Sequence, residues 1–262
     1  MTVVMILCGS AGLSAAVTNA PAPAPLPTPL VPPLSPPCAV PEADIAIPAP
    51  LPNVMALLQK HATIHILAIG SSSTFGVGAS SLLSNYPTRL GVILDKTLKG
   101  ADIEIANRGI AGELADTTAD RIMSEVALSK PDLVLWQLGT NDALSRVPPE
   151  DFETTVRETV RWLKSQDIDV ALVGMQYVPR FSLDPAYSAI RRTLRKIAKD
   201  ENVLYVRRYD AMRFMESVRS NEKIMANDQF HLNDLGYRCM AEHIAHAVII
   251  SLFAKPARPA NN

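Results

Sequence analysis

Beyond Ala62, short apolar, β-branched runs alternate with stretches whose apolar residues recur every three or four positions. The runs are Ile64 to Ile69, Ile103 to Ala106, Leu133 to Leu138, Val170 to Met175 and Val203 to Val206. Runs of this length bounded by turn residues suit strands buried on both faces. Between them, Phe152, Val156, Val160 and Leu163 form one apolar stripe with charges opposite, the mark of a helix lying on a core. Leu90, Ile93, Leu94 and Leu98 repeat the stripe, as do Ala189, Ile190, Leu194 and Ile197. Ala241 to Leu252 is apolar nearly all round, which suits a last helix packed on the sheet. The alternation predicts a three-layer α/β/α sandwich with a mostly parallel, five-stranded sheet. In such sheets the chemistry sits at the carboxyl ends of the strands.

Three predicted strand ends carry polar, glycine-bearing sequences: Gly70-Ser71-Ser72-Ser73-Thr74-Phe75-Gly76, Asn107-Arg108-Gly109-Ile110-Ala111-Gly112 and Gly139-Thr140-Asn141-Asp142. A fourth element, Asp228-Gln229-Phe230-His231, precedes the final helix. Singly, each has an ordinary structural reading. Ser72 is then a helix cap, Gly112 a turn glycine, Asn141-Asp142 a cap for the next helix and His231 a structural histidine. Their joint occurrence, in order and at the expected ends of a parallel sheet, points to a catalytic constellation.

In sequence order these four elements resemble the blocks of the SGNH (GDSL-like) hydrolases, a family that includes lysophospholipase L1-like esterases. The resemblance runs from about Ile64 to the last helix and implies the flavodoxin-like SGNH hydrolase fold. By it, Ser72 matches the nucleophile, Gly112 the block-two glycine, Asn141 the block-three asparagine, and Asp228 and His231 the Asp-x-x-His pair. Two positions depart from the family pattern. Ser71 stands where the family usually has Asp, and Glu113-Leu114 follows Gly112 where many members have Asp-Thr. The Asp replaced by Ser71 is not the triad acid, so the chemistry is expected to survive with different support of the loop.

The chemistry accounts for the residue types. A serine hydroxyl is a poor nucleophile until a base takes its proton. A histidine does this near neutral pH and then protonates the leaving group. A carboxylate holds its ring in the required tautomer. Asp228 and His231 lie three residues apart, so one tight turn brings base and orienter together. The backbone N–H groups of Ser72 and Gly112 and the amide of Asn141 are the candidate oxyanion donors, each worth about 3 kcal/mol in a transition state of this kind.

The resemblance implies hydrolysis of esters or thioesters, and an acyltransferase would use the same triad. A non-catalytic binding module is the reading from another class, since fold alone does not give function; the intact set of five residues argues against it. A nucleotide-binding domain is excluded because Gly70 to Gly76 lacks the Gly-x-Gly-x-x-Gly spacing and no Walker lysine follows. Phe75, Tyr177, Arg180 and Phe230 follow strand ends or adjoin the Asp-His pair, which makes them candidates for binding substrate. No insertion large enough for a lid interrupts the domain, which favours a small acyl group such as acetyl. The expected partner is a small-molecule or glycan ester.

No cofactor or metal is expected. His243 and His246 are three apart on the last helix, but no carboxylate or cysteine motif accompanies them. His61 and His65 lie at the wrong end of the first strand. The net charge is −1 with basic residues scattered, so nucleic acid is not an expected partner.

Residues 1 to 41 carry no charged side chain. Val3 to Leu13 is apolar and is followed by small residues, which reads as a secretory signal over 1–20 and predicts an exported, periplasmic or secreted protein. Gly9 and Gly12 break the apolar run, so no stable membrane span is expected in the mature protein. Thirteen of the 21 prolines fall between Pro21 and Pro52. Residues 21–61 are accordingly expected to form an extended linker rather than a regular core. The catalytic domain is placed at 62–255, with a tail over 256–262. Cys38 and Cys239 either pair in an oxidising compartment, tying the N-terminal arm to the last helix, or stand as two free thiols.

Overall fold

The computed structural model describes Thr2, residues 31–218 and residues 221–254. The rest of the expected signal segment, the first part of the Pro-rich stretch and the tail lie outside the described residues. The chain runs β1 (Ala46–Ile47), α1 (Pro52–Gln59), β2 (Ile64–Gly70), α2 (Ser72–Phe75), α3 (Tyr86–Thr97), β3 (Ile103–Gly109), α4 (Ala115–Ser129), β4 (Leu133–Gln137), α5 (Thr140–Leu144), α6 (Pro149–Ser165), β5 (Asp169–Val173), α7 (Pro185–Asp200), β6 (Leu204–Val206), α8 (Arg208–Val218) and α9 (Asp234–Leu252).

The sheet has the order β1-β6-β5-β4-β2-β3, parallel throughout except for β1, which is antiparallel to β6. Successive side chains of a strand point to opposite faces, and the two cores follow that alternation. Ile64, Ile66 and Ala68 of β2 join Leu133, Leu135, Ala171 and Val173 beneath α3 and α9. Leu67, Ile69, Val134, Trp136, Val170 and Leu172 face α6 and α7.

Local sequence explains where the helices start. Pro149 opens α6 with a fixed φ, Glu150 and Asp151 follow in its first turn, and Lys164 sits in its last; these match the helix dipole at both ends. The predicted stripe Phe152, Val156, Val160 and Leu163 is buried. Each such side chain contributes about 1.5–3 kcal/mol relative to exposure. Asp184 caps α7 by accepting hydrogen bonds from the N–H groups of Ala186 and Tyr187.

Two expectations need correction. The sheet has six strands rather than five, because β1 adds an antiparallel edge, with Ala46 opposite Val206 and Ile47 opposite Tyr205. The described part of the expected linker is also not extended away from the domain. Cys38, Ile45, Ala49, Leu51, Val54 and Leu58 are buried, most of them in the main core. Cys38 is disulfide-bonded to Cys239 of α9, with Cα atoms 4.9 Å apart and 201 positions between them in sequence. Ser35 donates from backbone and side chain to Glu242, His243 Nε2 donates to Cys38 O at 2.7 Å, and Arg207 donates to Ala43 O. Proline forbids interior ladder positions, not packing. Pro36 and Pro52 occupy first turns of helical segments, where a missing N–H costs little. Ala46–Ile47, just before Pro48, is an edge strand, where proline is tolerated.

Candidate active site

The register of the central strands sets the site. Gly70 of β2 lies opposite Gly109 of β3 and Gln137 of β4, so the three polar elements leave the sheet at one level. Gly70 has φ +144°, and a Cβ there would stand 2.2 Å from Gln137 O, so only glycine lets the chain turn so close to β4. Ser71 follows in an extended conformation, and Ser72 is the first residue of the short helix α2. The polypeptide thus changes abruptly from strand to helix with Ser72 at the corner, buried to 8 % exposure.

Ser71, at the position that departs from the family pattern, points inward. Its hydroxyl and N–H both donate to Gln137 Oε1, at 3.0 and 3.2 Å. These two contacts fix the loop to β4 through a neutral amide oxygen.

Ser72 Oγ lies 3.1 Å from His231 Nε2, and His231 Nδ1 lies 2.6 Å from Asp228 Oδ2. The other oxygen, Oδ1, accepts from the N–H groups of Phe230 and His231, each at 2.9 Å. Burial pushes the Asp228 carboxyl upward, but the hydrogen bonds from the His231 ring and from these two N–H groups outweigh it and hold the pKa at about 2. An ionised carboxylate only accepts, so Nδ1 carries the proton and Nε2 presents its lone pair to Ser72.

Around this pair the loop is tightly made. Gln229 adopts φ +52°, Ala226 donates from its N–H to His231 O at 2.8 Å, and Met225 and Leu232 form an antiparallel bridge. Asn233 caps α9 through Gly236 N–H and donates to the carbonyls of Lys223 and Met225. Tyr237 OH donates to Val77 O at 2.7 Å, joining this loop's helix to the segment after α2.

The other two predicted elements converge from β3 and β4. Gly112 has φ +87° with nothing within 4 Å of the Cβ position, so its backbone conformation, rather than crowding, calls for glycine. Asn141 Nδ2 donates to Glu113 O at 2.8 Å, which commits one of its two amide hydrogens to the loop of Gly112. Asp142 ties the two elements together: it accepts from Ala115 N–H at 2.8 Å and Gly139 N–H at 3.1 Å. Burial raises its pKa against these hydrogen bonds. Glu113, the second departure, pairs with Arg121 at 2.6 Å, and Arg121 also donates to Arg108 O.

The four aromatic and basic residues suggested by sequence separate into two groups. Phe230 meets the His231 ring edge-on at 4.9 Å, and the Arg180 guanidinium lies over the Phe230 ring at 5.7 Å and the Phe181 ring at 4.9 Å. Phe75 on α2 is half exposed. Tyr177 instead packs edge-on against Tyr209 at 5.2 Å, as part of the core boundary. Beside the Asp228 loop runs a cleft of about 430 Å³ bordered by Arg180, Glu216, Lys223, Met225, Asn227 and Gln229. Of its border, only Arg180 was singled out from sequence. Glu216 lies on α8, and the rest come from loop segments without periodicity.

The remaining histidines lie elsewhere. His65 is near Glu104 and Asp132, His61 contacts Gly100 O, and His243 and His246 are on α9. Among the described residues no cluster of three or more His, Cys, Asp or Glu could hold a metal. Among them too, no helix is long and apolar enough to cross a membrane.

Comparison with known proteins adds the following. A model of the Non-GDSL lipase-like family matches residues 37–252. Esterase TesA of Pseudomonas aeruginosa is 26 % identical over 181 residues, covering 68 % of this chain and 84 % of its own. A two-domain esterase (CEX) active on acetylated mannans superposes with a TM-score of 0.69 at 22 % identity, over 84 % of this chain; the match spans only 60 % of that longer protein. The acetyl xylan esterase AlAXEase superposes with a TM-score of 0.58 at 23 % identity, over 69 % of this chain and 98 % of its own.

Proposed function

We propose that this chain, which belongs to the Non-GDSL lipase-like family, hydrolyses carboxylic esters through an acyl-enzyme on Ser72. The observation that carries the reading is the unbroken contact from Ser72 Oγ to His231 Nε2 at 3.1 Å and from His231 Nδ1 to Asp228 at 2.6 Å. His231 takes the Ser72 proton as Oγ attacks the ester carbon. Asp228 stabilises the imidazolium that forms. The N–H groups of Ser72 and Gly112 and the uncommitted amide hydrogen of Asn141 receive the oxyanion. His231 then protonates the departing alcohol, and a water deprotonated by the same ring releases the acid.

The substrate we favour is a small acyl group, such as acetyl, on a carbohydrate hydroxyl. The cleft beside the Asp228 loop supports this, because Arg180, Glu216, Lys223, Asn227 and Gln229 on its mixed polar and apolar border can hydrogen-bond a sugar. Two of the structural neighbours bear names that record activity on acetylated mannan and acetyl xylan. The test is the rate on p-nitrophenyl acetate, butyrate and octanoate, with acetate release from acetylated xylo- and manno-oligosaccharides, for wild type and Ser72→Ala. A profile falling steeply beyond acetate, with acetate released from the oligosaccharides and activity lost in the variant, is expected. Preference for octanoate refutes the acyl assignment.

We further place the protein in an oxidising compartment. The disulfide between Cys38 and Cys239 supports this, because such bonds persist outside the reducing cytosol.

A further inference from the structure

Arg208 opens α8 at the carboxyl end of β6 and is 3 % exposed. A buried guanidinium is ordinarily neutralised by a carboxylate. Among the described residues Arg208 forms no ion pair; its two hydrogen-bond partners are neutral. Nη2 donates to Ser73 Oγ at 3.0 Å and to Gln176 Oε1 at 3.0 Å, while Nε and Nη1 are buried with no partner among the described residues. The nearby carboxylate on its own helix, Asp210, is taken by Arg207 at 2.8 Å and Arg191 at 3.4 Å.

The groups that face it from other elements carry no negative charge at working pH. Tyr86 of α3 and Tyr187 of α7 are pushed up to about 12 by burial, and Tyr237 of α9 is raised further. His243 of α9, which shares with Arg208 a cavity of about 10 Å³, is kept neutral by its own burial. Burial lowers the pKa of Arg208 itself, but guanidinium remains protonated in proteins.

The two partners place this charge in relation to the chemistry. Ser73 is the residue after the proposed nucleophile, on the same short helix. The Gln176 backbone N–H donates to Thr140 Oγ1 at 3.4 Å, and the Gln176 carbonyl accepts from Tyr187 OH at 2.7 Å; Thr140 immediately precedes Asn141. Arg208 Nη2 thus contacts the element bearing Ser72 directly and the element bearing Asn141 through Gln176.

Resting on the Ser72 reading above, we propose that Arg208 is a positioning residue whose unneutralised charge biases the site electrostatically. It holds the Ser72 and Asn141 sides of the oxyanion site in register. It also holds a fixed cation against the residue next to Ser72, favouring negative charge at the oxyanion. In a low-dielectric interior such a charge acts over several ångströms without reorganising. A purely structural arginine would lack the second effect.

The test uses kcat and KM on p-nitrophenyl acetate, measured on the plateau of the pH profile. Gln176→Glu leaves the hydrogen-bond geometry in place and supplies the missing counter-charge; Arg208→Met removes the charge, and Arg208→Lys keeps it. On that plateau, kcat falls roughly 10- to 100-fold in Arg208→Met and falls also in Gln176→Glu, in both with KM changed by less than about threefold, and stays near its wild-type value in Arg208→Lys. Folding of each variant is checked by thermal unfolding, and Gln176→Glu decides the matter where Arg208→Met does not fold. A wild-type kcat in Gln176→Glu overturns the proposal. Ser72→Ala is assayed alongside: activity surviving there overturns the nucleophile assignment, whereas an inactive Ser72→Ala with a wild-type kcat in Gln176→Glu overturns the role of Arg208 alone.

Discussion

Replacing Asp228 by Asn isolates what the carboxylate contributes. The backbone N–H groups of Phe230 and His231 donate to Oδ1 at 2.9 Å, and an amide oxygen can keep accepting them, so the loop should stand. The amide nitrogen then faces His231 Nδ1, where the native distance is 2.6 Å. Two N–H donors cannot share that contact, so the ring must shift its proton to Nε2. That tautomer presents N–H to Ser72, and the base is lost. The corresponding change in serine-histidine-aspartate enzymes costs about 10⁴ in kcat. The Asp228 side chain here is 48 % exposed, so water can solvate an imidazolium that the carboxylate no longer supports. We therefore expect a loss of about 10³-fold in kcat on p-nitrophenyl acetate, with KM within about threefold. Initial rates from pH 6 to 9, with thermal unfolding of the same samples, measure it. A folded variant retaining more than about a tenth of wild-type kcat would refute the reasoning, because the tautomer argument allows no such intermediate.

Two further predictions concern stability. Cys38 and Cys239 close a loop of 201 positions; the chain-entropy relation puts the upper limit of stabilisation at about 5 kcal/mol. Cys38→Ser/Cys239→Ser should lower the denaturant midpoint without changing esterase rates on the folded protein; an unchanged midpoint contradicts it. Asp169 accepts hydrogen bonds from Val54 N–H at 3.0 Å and Asn53 Nδ2 at 3.1 Å, anchoring α1, yet burial outweighs them and raises its pKa from 3.8 to about 6. Between those values the folded state binds more protons than the unfolded chain, so stability from this group falls as pH rises. Wild type should lose stability relative to Asp169→Asn from about pH 4 to about pH 6 and run parallel to it above; parallel curves throughout would contradict the assignment.

The parts of the fold that could be read from sequence are those where one physical rule acts alone. The runs in β2, β4 and β5 are buried on both faces, so burial alone writes their composition. The stripe on α6 is buried on one face and solvated on the other. The segment from Pro36 to Gln59 defeated the same approach because it packs in short pieces. β1 has two residues, too few for any period, and the prolines around it signal exclusion from ladders more loudly than they signal packing. The clustering was readable where residue types recur at fixed spacing, as in Asp228 and His231, which the structure brings into contact with each other and with Ser72. Supporting residues carry no such signature. Arg208 follows Arg207 after a strand, where a basic pair reads as solvated surface, and only the structure separates the partly buried, ion-paired Arg207 from the fully buried Arg208. Asp142 reads as a helix cap and does accept from Gly139 N–H, but its second hydrogen bond, to Ala115 N–H, crosses to another loop. Tyr177 follows a strand end as a substrate-binding residue would, yet its ring is claimed by Tyr209.

The central claim is that Ser72 is the nucleophile, and covalent trapping tests it most directly. The protein is incubated with a p-nitrophenyl alkylphosphonate, and p-nitrophenol release, residual activity and the site of the mass increment are measured together by peptide mapping. The account predicts one phosphonyl group per chain, on the peptide bearing Ser72, with activity lost in proportion and no labelling of Ser72→Ala. A label on another residue that accounts for the lost activity, or full activity in protein labelled at Ser72, would contradict it.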